Sequence, residues 1–260
     1  METDYTNIAD KALYTIVQDP HNISFLERSL RRELDRRNTI QNYINRNLGD
    51  ILSSVDAIFS EVTHEVHGYL GINNVKPCKI KNHTVLTNRL TAIAFSGLAG
   101  LVVDGSCAYL GLTETIYLHP LPRVKLIGDL AHEYTHHVQK QLIPSKPIRS
   151  AWCFREGQAR SVERRIAQIY SAKEKNPVFW QSINGDTIRE LSIAYSWTCN
   201  KNGVQPKISS KEMGIINGLN MDLEKNYKPH IMGNAAVSIL EEMGVKDLHR
   251  SALQGVLRLE

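Results

Sequence analysis

Residues 131–138 read AHEYTHHV and set His132, Glu133 and His136 in an H-E-x-x-H array. On a helix the two histidines stand one turn apart on one face, so both imidazoles can reach one ion. Glu133 is rotated by roughly 100° from His132. It can sit beside the ion without binding it and accept a proton from a water held there. Two histidines do not complete a catalytic zinc site; a third protein ligand is usual, with water in the open position. The best candidate lies in WCFREGQARSVERR, residues 152–165, where Glu156 opens a helical stretch. Glu163 is seven residues further on and shares its face. Glu156 can therefore bind the metal while Glu163 accepts a hydrogen bond from a ligand imidazole. For Glu163 the competing expectation is a surface ion pair with Arg155, Arg160, Arg164 or Arg165. For the H-E-x-x-H residues it is a hydrogen-bonded polar cluster in a core, costly without partners, and a metal removes that cost.

The elements around these residues follow from periodicity. Val124, Leu126, Ile127, Leu130, Ala131, Tyr134 and Val138 predict an almost wholly apolar helix, buried in the centre of a domain. Residues 1–72 read as a helical region, with Leu26, Leu30 and Leu34 every four residues and Ile51, Val55, Ile58, Val62 and Val66 at helical spacing. From 75 to 122, glycines and β-branched residues alternate in short runs such as LVVDG and ETIYLHP, which predict strands and turns. The remainder returns to helix. The order of helices, small sheet and helices predicts an α+β protein. Its expected units are an N-terminal helical region over 1–72, a sheet and H-E-x-x-H subdomain over 73–145, and a helical subdomain over 146–260. A proline-bearing loop over 142–150 is short enough for an antiparallel return between the two site helices. Gly157 and Ala159 would let them approach closely.

Composition narrows the function classes. The chain has 260 residues, 42% of them apolar and 22% charged, with a net charge of +4. That balance fits an ordinary globular protein and demands neither a nucleic-acid nor a membrane partner. The basic run Arg31, Arg32, Arg36 and Arg37 is interleaved with acids and reads as a solvated helix face. No secretory signal is visible at the start, and the most apolar segment, 90–103, is too short and glycine-rich to span a bilayer. Cys78, Cys107, Cys153 and Cys199 are far apart, without a C-x-x-C pair, which fits reduced thiols and argues against a thiolate zinc site. The expectation is a cytoplasmic protein. His137 is expected at the surface or behind the ligands, and His64 with His67, three apart, on a solvated helix face.

HEYTH followed after 19 residues by Glu156, within E-G-x-A-x-x-x-E, resembles the gluzincin group of zinc metallopeptidases. The second segment is similar to the W-x-x-E-G-x-A-x-x-x-E of aminopeptidase N-like enzymes, although Trp152 stands one residue further from Glu156. The resemblance spans residues 105–245 and implies a zincin-like fold: a small mixed sheet above an active-site helix, a helical lower subdomain and here an N-terminal helical extension. It also implies Zn²⁺ held by His132, His136 and Glu156, with Glu133 as general base. Residues 229–244, PHIMGNAAVSILEEMG, are similar to a segment whose tyrosine stabilises the oxyanion in aminopeptidase N-like enzymes. Aligning on Gly233 puts His230 in that position; thermolysin-like members use a histidine in this role. Tyr227 and Tyr195 are its rivals.

The resulting expectation is a zinc-dependent peptidase acting on a peptide or protein substrate. By the same resemblance the substrate would lie along a sheet edge over residues 106–111. The G-x-M-E-N segment that grips a free amine in aminopeptidases is missing from 75–122, which favours an endopeptidase or oligopeptidase. The alternative is a zincin-fold protein that keeps its metal but binds or regulates without cleaving.

Overall fold

The computed structural model describes residues 5–40, 55–82, 107–111, 113–118, 123–143, 152–217, 228–245 and 248–253. Tyr227, Ser106 and the loop over 144–151 lie outside the described residues.

The N-terminal helices are α1, Tyr5–Gln18, and α2, Ile23–Ile40. A single 3₁₀ turn, Pro20–Asn22, joins them; the Asp19 carboxylate accepts the His21 N–H at 2.9 Å. Leu26, Leu30 and Leu34 form the inner stripe of α2, each no more than 2% exposed. Helix α3, Val55–Leu70, buries Ile58, Val62, Val66 and Leu70. It stops at Gly71, whose φ of 64° lets the Ile72 N–H turn back to the His67 carbonyl at 3.1 Å.

Strands β1 (Lys79–Asn82), β2 (Cys107–Leu110) and β3 (Thr115–Leu118) form a sheet of order β1-β3-β2. β1 runs parallel to β3, and β2 antiparallel, with Tyr109 opposite Ile116. The sheet is therefore mixed, and among the described residues β2 is an outer strand of it. Helix-rich layers around a small mixed sheet make this an α+β arrangement.

Helix α4, Arg123–Leu142, packs beneath β2 and β3. Helices α5, Trp152–Lys173, and α6, Val178–Lys201, follow. The short α7, Ser210–Asn217, starts with a reciprocal cap: Ser209 N–H donates to Glu212 Oε2 at 2.7 Å and Glu212 N–H to Ser209 Oγ at 3.3 Å. Helix α8, Lys228–Glu242, and α9, Leu248–Leu253, are the last described elements. No helix among the described residues is long and apolar enough to cross a membrane.

Apolar side chains gather in two main cores. One joins α1, α2, α6 and α8 with Cys153 and Phe154 at the start of α5. The other joins α3, β3, α4 and the middle of α5. The helices of the region 1–72 thus divide: α1 and α2 belong to the first core and α3 to the second. Helix α5 is common to both. Its closest neighbour is α8, and the contact is backbone on backbone. A Cβ placed on Gly157 would fall on the Gly233 carbonyl, and one on Gly233 on the Cys153 carbonyl. Only two glycines permit that approach.

Candidate metal centre

The H-E-x-x-H residues lie in the second half of α4, whose other face is filled by Leu126, Ile127, Leu130, Ala131 and Val138. That apolar face locks α4 under the sheet and turns His132 and His136 toward α5. Helix α5 brings Glu156 from its first turn. His132, His136 and Glu156 are each 8% exposed. One ligand atom from each lies within 4.8 Å of the others, the one such group of histidine, cysteine and carboxylate residues among the described residues.

The three atoms form a nearly regular triangle. His132 Nε2 is 3.2 Å from His136 Nε2 and 3.3 Å from Glu156 Oε2. His136 Nε2 is 3.4 Å from Glu156 Oε2. Ligand bonds of about 2.0–2.2 Å around a tetrahedral ion require edges of roughly 3.3–3.6 Å. The triangle has the size such an ion needs.

Hydrogen bonds behind the rings decide which nitrogen faces inward. His132 Nδ1 meets Glu163 Oε2 at 3.2 Å. His136 Nδ1 meets Gln139 Oε1 at 2.9 Å. The Gln139 amide is oriented by its own NH₂ group, which donates to Arg155 O and Gln158 Oε1, both at 2.9 Å. Both rings therefore carry their proton on Nδ1 and turn an Nε2 lone pair to the centre. With Nε2 unprotonated, two lone pairs and a carboxylate oxygen converge on one point. Glu156 Oε2 is buried and receives no hydrogen bond. A cation relieves that arrangement. The surrounding carboxylates favour positive charge here: burial opposes charge on His132, yet Glu156 and Glu163 prevail and raise its pKa to about 10, so a bound cation would take the place of a proton on Nε2. Burial likewise opposes charge on Glu156, but the facing His136 and His132 hold its carboxyl well below the usual range.

Trp152, one turn ahead of Glu156, donates its indole N–H to Glu156 Oε1 at 2.9 Å. That bond occupies one carboxylate oxygen and leaves Oε2 to the centre. The indole is 49% exposed, so it also forms part of the rim.

Glu133 is partly buried and stands outside the triangle. Its Oε2 accepts the Tyr109 N–H at 2.7 Å, so the outer strand β2 directs its edge at the carboxylate. Burial raises the Glu133 pKa, against the opposing pull of His132 and His136. Helix α8 supplies His230 from its first turn, with Nδ1 3.3 Å from Glu156 Oε2 and its ring 6.3 Å from that of His132, nearly parallel. Burial lowers its pKa to about 4 although Glu156 pulls it upward.

The structure thus brings together His132, Glu133, His136, Glu156, Glu163 and His230. Glu163 is 2% exposed, and its arginine contact, Arg160 at 2.8 Å, is an interior one. Other expectations fall differently. Tyr195 is set among the side chains of the first core, its hydroxyl accepting the Lys207 N–H at 3.1 Å. His137 is fully buried rather than at the surface: it meets the Tyr109 hydroxyl at 2.9 Å and the Lys76 carbonyl at 2.8 Å, pinning α4 to the sheet. His64 is exposed, but His67 bonds the Tyr134 hydroxyl at 2.7 Å, so the two do not act as a pair. Gln139 went unread in the sequence; its place three residues after His136, one turn along the helix, is the signal that marks it.

The chain matches no protein-family model, no curated protein and no solved structure.

Proposed function

We propose that the protein is a zinc-dependent peptidase, with the ion held by His132, His136 and Glu156. The observation that carries the reading is the triangle of two inward lone pairs and an unbonded buried carboxylate oxygen, with a separate carboxylate, Glu133, beside it. The H-E-x-x-H and E-G-x-A-x-x-x-E spacings, and the mixed sheet over α4, support a zincin-like fold. Once bound, zinc would polarise a substrate carbonyl and make water acidic enough to be deprotonated near neutral pH.

The chain's own residues supply the rest. Glu133 takes the proton on the oxygen not engaged by Tyr109 and passes it to the leaving nitrogen. Its raised pKa suits a group that must both accept and return a proton. An extended peptide pairs with the outer edge of β2, which points at Glu133. His230, neutral at pH 7, donates an N–H to the developing oxyanion. An endopeptidase or oligopeptidase fits best. A binding module that keeps a metal without cleaving would have no need of Glu133 at the edge of the site.

Two experiments test the reading. Purified protein should hold about one zinc per chain by elemental analysis, and His136→Ala or Glu156→Ala should lose most of it. Glu133→Gln should keep the metal and lose at least ~10²-fold of casein or peptide hydrolysis. Zinc lost from Glu133→Gln but kept by Glu156→Ala would reverse the assignment of ligand and base. For His230→Phe the expectation is normal zinc content and a kcat lowered by about 10²–10³-fold, with little change in KM.

A further inference from the structure

Glu190 lies in the middle of α6, a helix that contributes nothing to the ligand triangle, and is 3% exposed. Its two carboxylate oxygens serve different helices. Oε1 accepts Arg160 Nη2 at 3.0 Å and Nε at 3.2 Å. Oε2 accepts Asn234 Nδ2 at 2.8 Å. Arg160 turns its other terminal nitrogen to Glu163 Oε2 at 2.8 Å, the same oxygen that meets His132 Nδ1 at 3.2 Å. Asn234 stands one turn beyond His230 on α8, and its amide oxygen accepts Arg164 Nη1.

We propose that Glu190 is a positioning residue of the metal centre: through Arg160 it holds Glu163 on the His132 imidazole, and through Asn234 it holds the helix that carries His230. The inference rests on the metal-centre reading above. Its physical basis is the sharing of Glu163 Oε2 between Arg160 and His132. Two carboxylates around one guanidinium leave Glu163 enough charge to grip the Nδ1–H and strengthen Nε2 as a donor. With Glu190 neutral, the guanidinium draws on Glu163 alone, and the imidazole loses orientation and basicity. An amide at 190 also sets a donor against Arg160 or against Asn234. Asn234 cannot turn over to accommodate it, because Arg164 holds its oxygen. The effect on His132 is therefore exerted from a residue that touches neither the ion's ligands nor the substrate cleft.

The test compares Glu190→Gln with Glu241→Gln in the full chain. Glu241 lies at the far end of the same network, bonded to Arg164 and Ser161 but not to Arg160 or Glu163. Cobalt(II) serves as probe, with affinity measured against a competing chelator and the visible absorption bands recorded. Glu190→Gln should weaken cobalt binding by about 10–100-fold and shift the bands, while Glu241→Gln stays within about two-fold of the wild type. If Glu190→Gln does not fold, Glu190→Asp, which keeps the charge but shortens the reach, should show a smaller loss of the same kind. Wild-type binding with Glu190 variants indistinguishable from Glu241→Gln overturns the inference alone. A wild-type protein that takes up no cobalt or zinc overturns the metal-centre reading with it.

Discussion

Helices α2 and α5 each carry an arginine-rich string that ends in an acid and two arginines, ERSLRRELDRR over 27–37 and REGQARSVERR over 155–165. On α2 the arginines face outward: the side chains of Arg28, Arg31, Arg32 and Arg36 are 36–53% exposed. On α5, Arg160 and Arg164 are 14% and 10% exposed. Arg31 is met by Glu212 and Glu27 and Arg32 by Glu242, where water competes for the pair, whereas Arg36 reaches the buried Glu33. Among the described residues the guanidinium groups of Arg160 and Arg164 are met by Glu163, Glu190, Glu241, Asn234 and Ser238. The same residue type is a loose tie in one place and a fixed strut in the other. What separates them is dielectric, and the consequence is that only the second can hold a buried side chain in a chosen orientation.

The largest effect that would test this contrast is expected for Arg160→Ala. It strands two buried carboxylates, and urea denaturation should show a loss of about 3–5 kcal/mol. Glu33 sharpens the comparison from the other side. It lies on α2 but is 2% exposed, bonded to Arg36 at 2.6 Å and to Asn184 Nδ2 at 2.9 Å. If burial rather than helix identity sets the outcome, Glu33→Ala should cost about 1–3 kcal/mol by the same measurement. Arg31→Ala should cost no more than about 1 kcal/mol, and that difference should shrink as salt is added. Equal losses for Arg31→Ala and Arg160→Ala would dissolve the distinction.

The sequence made part of this legible. The apolar stripes of α2, α3 and α4 repeat at helical spacing, and the burial of α4 follows from the apolar residues between Leu126 and Val138 that surround His132, Glu133 and His136. That His132, His136 and Glu156 come together could be read because their spacing, within one helix and between two successive helices, is local. The same locality hid the remainder. Arg160 sits next to Glu163 in the chain, but its second partner, Glu190, and that residue's partner Asn234 belong to other helices and meet it only after packing. The α2 arginines looked solvated; Arg32 is exposed, but Arg31, Arg36 and Arg37 are half-buried. Glu27 and Glu33 are local partners, whereas Glu212 and Glu242 come from 181 and 210 residues away, which no window of sequence reports. His137 looked peripheral because it is off the ligand face; the sheet that buries it is formed by segments far from it in the chain. The N-terminal region read as one unit because its helices are consecutive, whereas the apolar faces of α1 and α2 and that of α3 find different cores.

The Gly157–Gly233 crossing bears on how a distant relative could be recognised. At either position a single methyl group would collide with a carbonyl of the opposite helix. A lineage that kept His230 against Glu156 would therefore be confined to glycine at both sites while its surface changed freely. Two glycines 76 positions apart, one directly after Glu156 and one three residues after His230, are therefore a pattern to look for in such a chain. A chain bearing H-E-x-x-H and the carboxylate but a larger residue at either place would have α8 displaced, and its histidine would no longer stand against the carboxylate.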